Sequence, residues 1–407
     1  MSTGKPAPWT FRNRFRRGAF GWRGSKPAIA RIDEALAEIR AAARSDPVRG
    51  AEGAVLFLEK LSPALSDVDS SSGALGNATA AAVATLAPLI GAAPVADSVR
   101  DKWLERLYAA LENDDPPYIE SLGDHWGMLC ATPALASHWA DTLLPGLQAV
   151  AKVRGTGQFA WFRGTVASYS ALYAAGRHQE VLDLLAQEPR PIWPCIVFGA
   201  RVHAALGMVD EAIGWLQERA GATVPAYALA SVAEELLLAA GRRTEAYARF
   251  GIAANPANTH LATYRALAKK YPELPAERLL ADLIASTPGE EGKWFATAKT
   301  LRRFDLAIAL AQRSPCDPKT LIRAARDHID GEPHFALEAA IAALRWMAQG
   351  YGYELTGVDV LAAYRHAHEA GERIGVSGDV ARRLEMVLAD AGPRSHWMRQ
   401  ILSLPGR

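Results

Sequence analysis

The chain has 407 residues, half of them hydrophobic, and its 45 lysines and arginines nearly balance 44 aspartates and glutamates, leaving a formal net charge of +1. This composition excludes an intrinsically disordered chain and supplies enough apolar surface for an extensive core. The balanced charge favours no class of partner for the chain as a whole. Cys130, Cys195 and Cys316 lie far apart without CxxC or Cys/His spacing. This spacing excludes a zinc ribbon, argues against a disulfide framework and predicts a reducing, cytoplasmic location.

Residues 1–27 are predicted to be a basic and aromatic N-terminal arm, which has no acidic residue and lacks the central apolar block of a secretory signal. Its basic residues are Lys5, Arg12, Arg14, Arg16, Arg17, Arg23 and Lys26, and its aromatic residues are Trp9, Phe11, Phe15, Phe20 and Trp22. Guanidinium groups bind phosphates and aromatic rings stack on bases, so residues 1–26 are a candidate nucleic-acid or partner contact. The predicted contact residues are Arg12, Arg14, Arg16, Arg17, Trp22 and Arg23. Alternatively, the aromatic rings pack onto the first helices while the arginines stay solvated or pair with acidic residues there.

Residues 28–153 are predicted to form an N-terminal helical domain. Ile29, Ile32, Leu36 and Ile39 recur at helical spacing after a proline that suits a helix start. Short turns that contain proline or glycine separate the helical segments that follow, and no run of alternating apolar residues predicts a strand. The sequence therefore predicts an all-α protein with no significant β-sheet.

The longest uncharged stretch, residues 70–96, is long enough to cross a bilayer. It consists mostly of alanine, glycine, serine and threonine, contains Pro88 and Pro94, and has few large apolar side chains. These features predict a tightly packed buried helix rather than a membrane span.

One pattern recurs through residues 154–312, which we predict to be a repeat region. In three segments a glycine separates two apolar helical runs, a glutamate follows four residues later, and a small or β-branched residue comes next. The glycines are Gly176, Gly207 and Gly241, the glutamates are Glu180, Glu211 and Glu245, and the residues that follow them are Val181, Ala212 and Ala246. Two weaker copies follow, one with Glu277 at the glutamate position and one with Ala307 at the small position. The pattern predicts a series of helix–turn–helix hairpins.

A period of about 34 residues with this spacing resembles the tetratricopeptide repeat family. The resemblance implies a right-handed α-solenoid whose stacked helix pairs present an extended concave groove to a partner. In that register Arg163, Tyr173 and Arg201 face the groove and suit an acidic or carboxylate-bearing protein segment. Ordinary packing between repeats, with the arginine heads reaching water, is the alternative.

Residues 313–407 are predicted to continue as a C-terminal helical region. Taken whole, the chain also resembles a group of bacterial proteins that carry stretches such as RFRRGAFGWRG, EGAVLFLEKLSPAL, STPGEEGKW and SPCDPKTLIRAARD. That resemblance implies a cytoplasmic bacterial protein and brings no activity with it.

No motif predicts a catalytic residue, a metal site or a cofactor. His366 and His368 lie about 200° apart around a helix, so they do not chelate one metal together. His125 and Cys130 do not face each other well on a helix as base and nucleophile. The segment STPGEEGKW lacks the strand, the glycine spacing and the Ser or Thr that a phosphate-binding loop needs.

The leading expectation is a non-enzymatic scaffold that binds a protein partner through the concave face of a helical repeat array. The alternative is a nucleic-acid-associated protein, or a subunit of a bacterial nucleic-acid-processing or defence complex, that contacts phosphates through the arm. We expect no membrane partner, and the sequence allows a homo-oligomer. An enzyme would require a pocket with converging titratable side chains.

Overall fold

The computed structural model describes residues 8–158, 160–389 and 393–403 of the chain. It is all-helical, with 73% helix and no strand in those ranges, which confirms the predicted all-α class. The chain divides into two compact units, Met1–Pro225 and Ala226–Arg407.

The first unit contains ten α-helices within its described residues. They are α1 (Ser25–Ser45), α2 (Pro47–Leu65), α3 (Ala74–Gly91), α4 (Asp97–Glu112), α5 (Trp126–Cys130), α6 (Pro133–Gly155), α7 (Thr165–Ala174), α8 (His178–Gln187), α9 (Trp193–Ala205) and α10 (Val209–Arg219). Short 3-10 turns cover Thr10–Asn13 and Glu120–His125.

The second unit contains twelve α-helices within its described residues. They are α11 (Ala226–Ala239), α12 (Arg243–Ala246), α13 (Ile252–Ala254), α14 (His260–Lys270), α15 (Ala276–Ala285), α16 (Phe295–Thr300), α17 (Phe304–Arg313), α18 (Pro318–His328), α19 (Pro333–Ala348), α20 (Gly357–Arg373), α21 (Ser377–Ala389) and α22 (Ser395–Ile401). A π-turn over Tyr247–Gly251 joins α12 to α13, and a 3-10 turn over Glu291–Trp294 precedes α16. The segment boundaries predicted after residues 153 and 312 fall in the last turns of α6 and α17.

Helix α2 lies in the core of the first unit and packs against α1 and α3. Its start is fixed by Asp46, whose carboxylate accepts the backbone N–H of Arg49 at 3.0 Å, and by a proline in the first turn. A methyl group at Gly50 would lie 2.4 Å from the side chain of Ala43, so the close approach of α2 to α1 requires a glycine. Five large apolar side chains of α2 face the core with no exposed surface: Val55, Phe57, Leu58, Leu61 and Leu65.

Helix α3 covers much of the long uncharged stretch. Among the described residues it is the one helix with the length and apolar composition of a membrane span, with a mean hydropathy of 1.4 and 39% of its residues buried. Leu75, Val83, Leu86 and Ile90 are fully buried along one face, and α3 packs against α1 and α2. The opposite face consists mostly of alanine and other small residues.

Within the predicted repeat region, four described helix–helix turns share one backbone geometry, in α7–α8, α9–α10, α11–α12 and α16–α17. The second residue after the first helix of each pair is left-handed: Gly176, Gly207, Gly241 and Arg302 have φ values of 74°, 83°, 74° and 57°. The N–H of this residue binds the carbonyl three residues back, and the next N–H binds the carbonyl five residues before it. This pair of bonds is typical of the Schellman motif that ends helices. The first three of these residues are the glycines of the predicted hairpins.

A buried residue follows each of these turns at the same distance. Five positions after the left-handed residue, the side chains of Val181, Ala212, Ala246 and Ala307 have no exposed surface. Small and β-branched side chains at this point let the second helix of each pair lie close to the first.

The predicted glutamates anchor the second helices where an arginine precedes them. The guanidinium groups of Arg177 and Arg242, at the N-caps of α8 and α12, pair with Glu180 at 2.6 Å and Glu245 at 2.7 Å. The hydrogen bond from Arg177 lowers the pKa of Glu180, and the neighbouring positive charge adds to the effect. These pairs place a carboxylate in the first turn of a helix, where the helix dipole also favours it.

One predicted copy departs from this geometry, and two turns with it lie outside the predicted region. Glu277 is in the first turn of α15, but the residue after it is the exposed Arg278 and not a small or β-branched one. The described turn before that helix also has no left-handed residue. Of the two turns outside the region, the first is at Gly350 after α19, with a φ of 91° and the same two backbone bonds, and the second is at Gly375. Gly375 forms the shared turn between α20 and α21, with a φ of 74° and the same two backbone bonds. Val380, five residues later, is fully buried.

A buried carboxylate links three segments of the second unit. Glu234 on α11 has no exposed surface and accepts hydrogen bonds from Lys270 Nζ at 2.5 Å, the Tyr271 hydroxyl at 2.5 Å and the Asn255 amide at 2.9 Å. Burial raises the pKa of Tyr271, and the Glu234 carboxylate raises it further. Because the charge is paired and its oxygens have partners, Glu234 is a structural crosslink.

Candidate functional site

The described part of the arm is folded onto the first helices. The rings of Phe11 and Phe15 are 2% and 1% exposed, and each packs edge-on against Phe57 of α2, with centroids 5.4 and 5.0 Å apart. Trp9 lies over Gly53 of the same helix, where any larger residue would collide with the indole. Phe20 is partly buried and packs edge-on against Phe15, with centroids 5.6 Å apart. Four of the five arm aromatics therefore pack onto the fold, as the alternative interpretation of the arm expects.

Backbone hydrogen bonds fix the arm at three points along its length. The N–H of Thr10 donates to Glu38 of α1 at 2.8 Å, and the N–H of Gly18 donates to the carbonyl of Pro63 at 2.9 Å. The carbonyl of Trp22 accepts the N–H of Asp69 at 3.0 Å. The segment from residue 8 to residue 26 therefore has a defined course across α1 and α2.

The arm's cations lie on the outside of this segment. Arg14 pairs with Glu34 of α1 at 2.5 Å, and Glu34 also binds Arg31, whose hydrogen bond is the main cause of its lowered pKa. The other basic residues of the described arm are exposed and make no ion pair with any residue that the structure describes: Arg12, Arg16, Arg17, Arg23 and Lys26. Trp22 is 68% exposed. We call these five cations and Trp22 the arm surface. Lys5 and the rest of residues 1–7 lie outside the described residues.

Two of the three predicted groove residues come together. Phe198 on α9 is 2% exposed, and the ring of Tyr173 on α7 lies 6.1 Å from it. The guanidinium carbon of Arg201 lies 5.3 Å from the centre of the Phe198 ring. Tyr173 also stacks on His178, with ring centroids 5.4 Å apart. Tyr173 and Arg201 thus belong to one patch on the first helices of two consecutive hairpins.

Arg163 lies elsewhere in the first unit, close enough to Asp114 to act on its carboxylate. Asp114 is fully buried and accepts the backbone N–H groups of Tyr118 and Ile119, each at 2.9 Å. Burial raises the pKa of Asp114, while its hydrogen bonds and the charge of Arg163 oppose that rise. Arg163 therefore contributes a positive charge to the surroundings of the turn after α4.

A cleft of about 510 Å³ lies between α6 and α8 in the first unit. Tyr169 of α7 lines it, together with Leu147 of α6 and Leu184 of α8. Acidic side chains are set around this apolar lining, among them Asp183, and Glu188, which pairs with Arg154 at 2.9 Å.

A second cleft, of about 460 Å³, lies between α15 and α17 in the second unit. Small and aliphatic side chains line most of it: Ala281, Ile284, Ala285, Leu306, Ala309 and Leu310. At one end Arg313 pairs with the buried Glu291 at 3.2 Å, and at the other Glu277 pairs with Arg303. Like the first cleft, it combines an apolar lining with charged side chains around it.

Asp124 in the first unit, which is half-buried, is a carboxylic acid with a strongly altered pKa. Burial raises its pKa from 3.8 to about 6; the nearby Glu120 raises it too, whereas Arg201 lowers it. Its neighbour His125 has a lowered pKa, mainly because of burial. An acid with a pKa near neutrality can mark a functional site, although burial in a structural turn has the same effect.

Histidines and cysteines do not combine into a metal site in the described ranges, where no group of three His, Cys, Asp or Glu side chains is placed to hold an ion. His366 Nδ1 and His368 Nε2 are buried without a hydrogen-bond partner among the described atoms. The three cysteines are free and buried. Burial raises the pKa of Cys130 and of Cys316 to about 12 and that of Cys195 further.

The clefts, unlike the arm, were not predicted from the sequence. Their floors are formed by alanines and leucines that recur at helical spacing, such as Ala281 and Ala285, and the same spacing also describes a buried face. The sequence signal for a cleft was the alanines that recur at this spacing on α15 and α17.

Comparison with known proteins adds no family to this description. No protein-family model matches the chain, and no curated protein matches it at a significant level. The resemblances to tetratricopeptide repeats and to a bacterial group therefore stay predictions.

Proposed function

We propose that the chain is a non-enzymatic scaffold whose helical hairpins stack as a tetratricopeptide-like α-solenoid and bind a protein partner. The four hairpins that share one turn carry this proposal. A repeated turn followed by a repeated buried residue sets each second helix against its first in the same way. Units of this kind bury their apolar faces against their neighbours and leave extended grooves.

The two clefts support a partner of peptide character. The first lies between α6 and α8 and the second between α15 and α17, and each has an apolar lining bordered by charged side chains. Such troughs suit a helical or extended protein segment, which fills the apolar strip and contacts the charged ends. On the first helices, Tyr173 and Arg201 around Phe198 are the second candidate contact, and an acidic or carboxylate-bearing segment is the chemistry that fits the arginine.

Partner capture with matched variants tests this function. The full chain is immobilised and exposed to nuclease-treated extract of the source cells, as wild type and as Leu306→Glu, Tyr173→Ala and Leu361→Glu. Leu306, in the α15–α17 cleft, is 38% exposed, and Leu361 on α20 is an equally apolar control at 42%. Either cleft or patch variant should reduce recovery of one discrete protein by about tenfold or more, because a central apolar contact is lost.

The control should retain that protein, with all three variants melting near the wild type. Recovery of the same proteins in the same amounts from all four chains would contradict a partner site on these surfaces.

A further inference from the structure

The arm surface combines a fixed backbone with cations that make no ion pair with the described residues. Phe11 and Phe15 anchor the segment in the core, so its outward side chains are held at set positions rather than on a loose tail. A ligand that binds there does not have to order the segment first. Binding therefore avoids the loss of conformational entropy that accompanies binding to a flexible basic tail.

The charge on this surface is predominantly positive. Five exposed cations lie between residues 12 and 26 without an ion pair among the described residues, and the arm itself contributes no acid. A nearby carboxylate is that of Asp67, beside Gly18. Glu34 and Glu38 on α1 are occupied by Arg14 and by Thr10. A net positive strip of this kind attracts a polyanion, and arginine forks match phosphate oxygens.

Trp22 adds a flat ring to the positive strip. It is 68% exposed while its backbone carbonyl is held by the N–H of Asp69, so the ring stands on a fixed support. An exposed indole beside arginines is the arrangement on which an unpaired base stacks.

We propose that the arm surface binds single-stranded nucleic acid, with Arg12, Arg16, Arg17 and Arg23 on backbone phosphates and Trp22 stacked on one base. This site is separate from the clefts and does not depend on the scaffold function. The exposed arm residues lie in a 3-10 turn and in loops and at the very start of α1, so no regular helix or ribbon is offered to a duplex groove.

An anionic membrane is the competing polyanionic surface, and the arm fits it less well. Its apolar rings are mostly turned into the core, which leaves a single indole to enter a lipid interface. Interfacial segments instead present a whole apolar face of a helix.

Fluorescence anisotropy with labelled homopolymers of deoxythymidine and of uridine, about 20 nucleotides long, tests the proposal on the full chain. Four phosphate contacts on a single strand give a salt slope of about −3, so affinity should fall about 50-fold between about 50 and about 200 mM salt. The Arg12→Ala, Arg16→Ala, Arg17→Ala, Arg23→Ala quadruple variant should lose this slope and most of the affinity.

Two further variants separate the roles of charge and ring. Trp22→Ala should weaken binding about tenfold, and Trp22→Phe should keep most of the affinity, because stacking needs a ring and not an indole in particular. Arg14→Ala is the matched control: it lies in the same stretch and is exposed, but its charge is already paired with Glu34. Its affinity should stay within about twofold of the wild type.

Several outcomes would overturn the proposal. These are no strand binding by the wild type, equal losses in Arg14→Ala and the quadruple variant, or duplex DNA bound as tightly as either single strand. Binding to vesicles rich in phosphatidylserine, lost in the quadruple variant and unaccompanied by strand binding, would assign the arm surface to membranes instead. Thermal melts of all variants exclude unfolding as the cause, since the altered side chains are exposed.

Discussion

Phe11 and Phe15 show that, in a segment rich in arginine and aromatic residues, phenyl rings can be buried in the core while the arginines stay at the surface. The two phenyl rings are spaced by four residues and both reach Phe57 on α2, while the arginines between and after them point outward. The sequence offered both interpretations of these rings, packing or base stacking, and had no means of choosing. The choice depends on a contact with a residue more than forty positions away, which no local pattern records.

A substitution at Phe15 measures how much the folded arm contributes to stability. Phe15→Ala should lower the free energy of unfolding by about 3 to 5 kcal/mol, because it removes a ring that is 1% exposed and leaves a cavity. Urea denaturation gives the value. Trp22→Ala, in the same segment but exposed, should change it by less than about 0.5 kcal/mol. Similar values for the two variants would mean that the arm is not part of the core in solution.

Asp124 gives a prediction about pH. Its pKa is about 6 in the folded protein and 3.8 without burial, so between these values the unfolded chain loses a proton that the folded chain keeps. The folded state is therefore penalised progressively from about pH 4 to pH 6 and fully above that, by at most about 3 kcal/mol.

Asp124→Asn removes the charge and with it this penalty. The variant should be more stable than the wild type by about 1 to 3 kcal/mol at pH 8 and equal to it at pH 4. Urea denaturation at the two pH values provides the check, and a difference that does not depend on pH would show that Asp124 ionises with an ordinary pKa.

At the scale of elements, the hairpin turns were the most predictable feature. Gly176, Gly207 and Gly241 were identified as glycines between two apolar helical runs. The structure shows why glycine stands there, because each residue is left-handed and this conformation after a helix strongly favours glycine. The turn at Arg302 has no glycine to indicate it, so the left-handed conformation of this arginine is seen only in the structure. Gly375 forms the same turn but lies beyond the region in which the glutamate pattern holds.

Arg302 carries strain that its glycine counterparts do not. Arg302→Gly should raise the free energy of unfolding by up to about 1 kcal/mol, reduced by loss of the exposed ion pair with Glu332 at 3.0 Å. Gly241→Arg is the reverse change in the same turn and should lower it by about 1 kcal/mol. Chemical denaturation of both variants tests the pair. Destabilisation by Arg302→Gly would mean that the arginine's contacts outweigh the backbone strain.

At the scale of the whole molecule, the division into two units cuts across the predicted repeat region. The predicted boundaries follow changes in sequence pattern, whereas the observed division after Pro225 follows where contacts along the chain become sparse. Hairpins of the shared turn occur in both units, so sequence periodicity alone does not reveal the boundary.

The segment between α10 and α11, residues 220–225, should be an early site of proteolysis, because it is mostly exposed and lies at the unit boundary. Brief treatment with a protease of broad specificity, followed by mass spectrometry, should give two stable fragments that meet in this segment. Each should be helical by circular dichroism and unfold cooperatively. Early cuts in α15 or α17 instead would show that the second unit is less stable than its packing indicates.

The buried thiols of Cys130, Cys195 and Cys316 make this chain convenient for site-specific chemistry. Their raised pKa values keep them protonated at neutral pH, and the fold shields them from reagents. A cysteine introduced at an exposed position should react with maleimide while the native three stay unmodified. Fluorophores or spin labels could therefore be attached to the wild-type background, at Lys26 in the arm or at Leu306 in the cleft, without first removing any native cysteine.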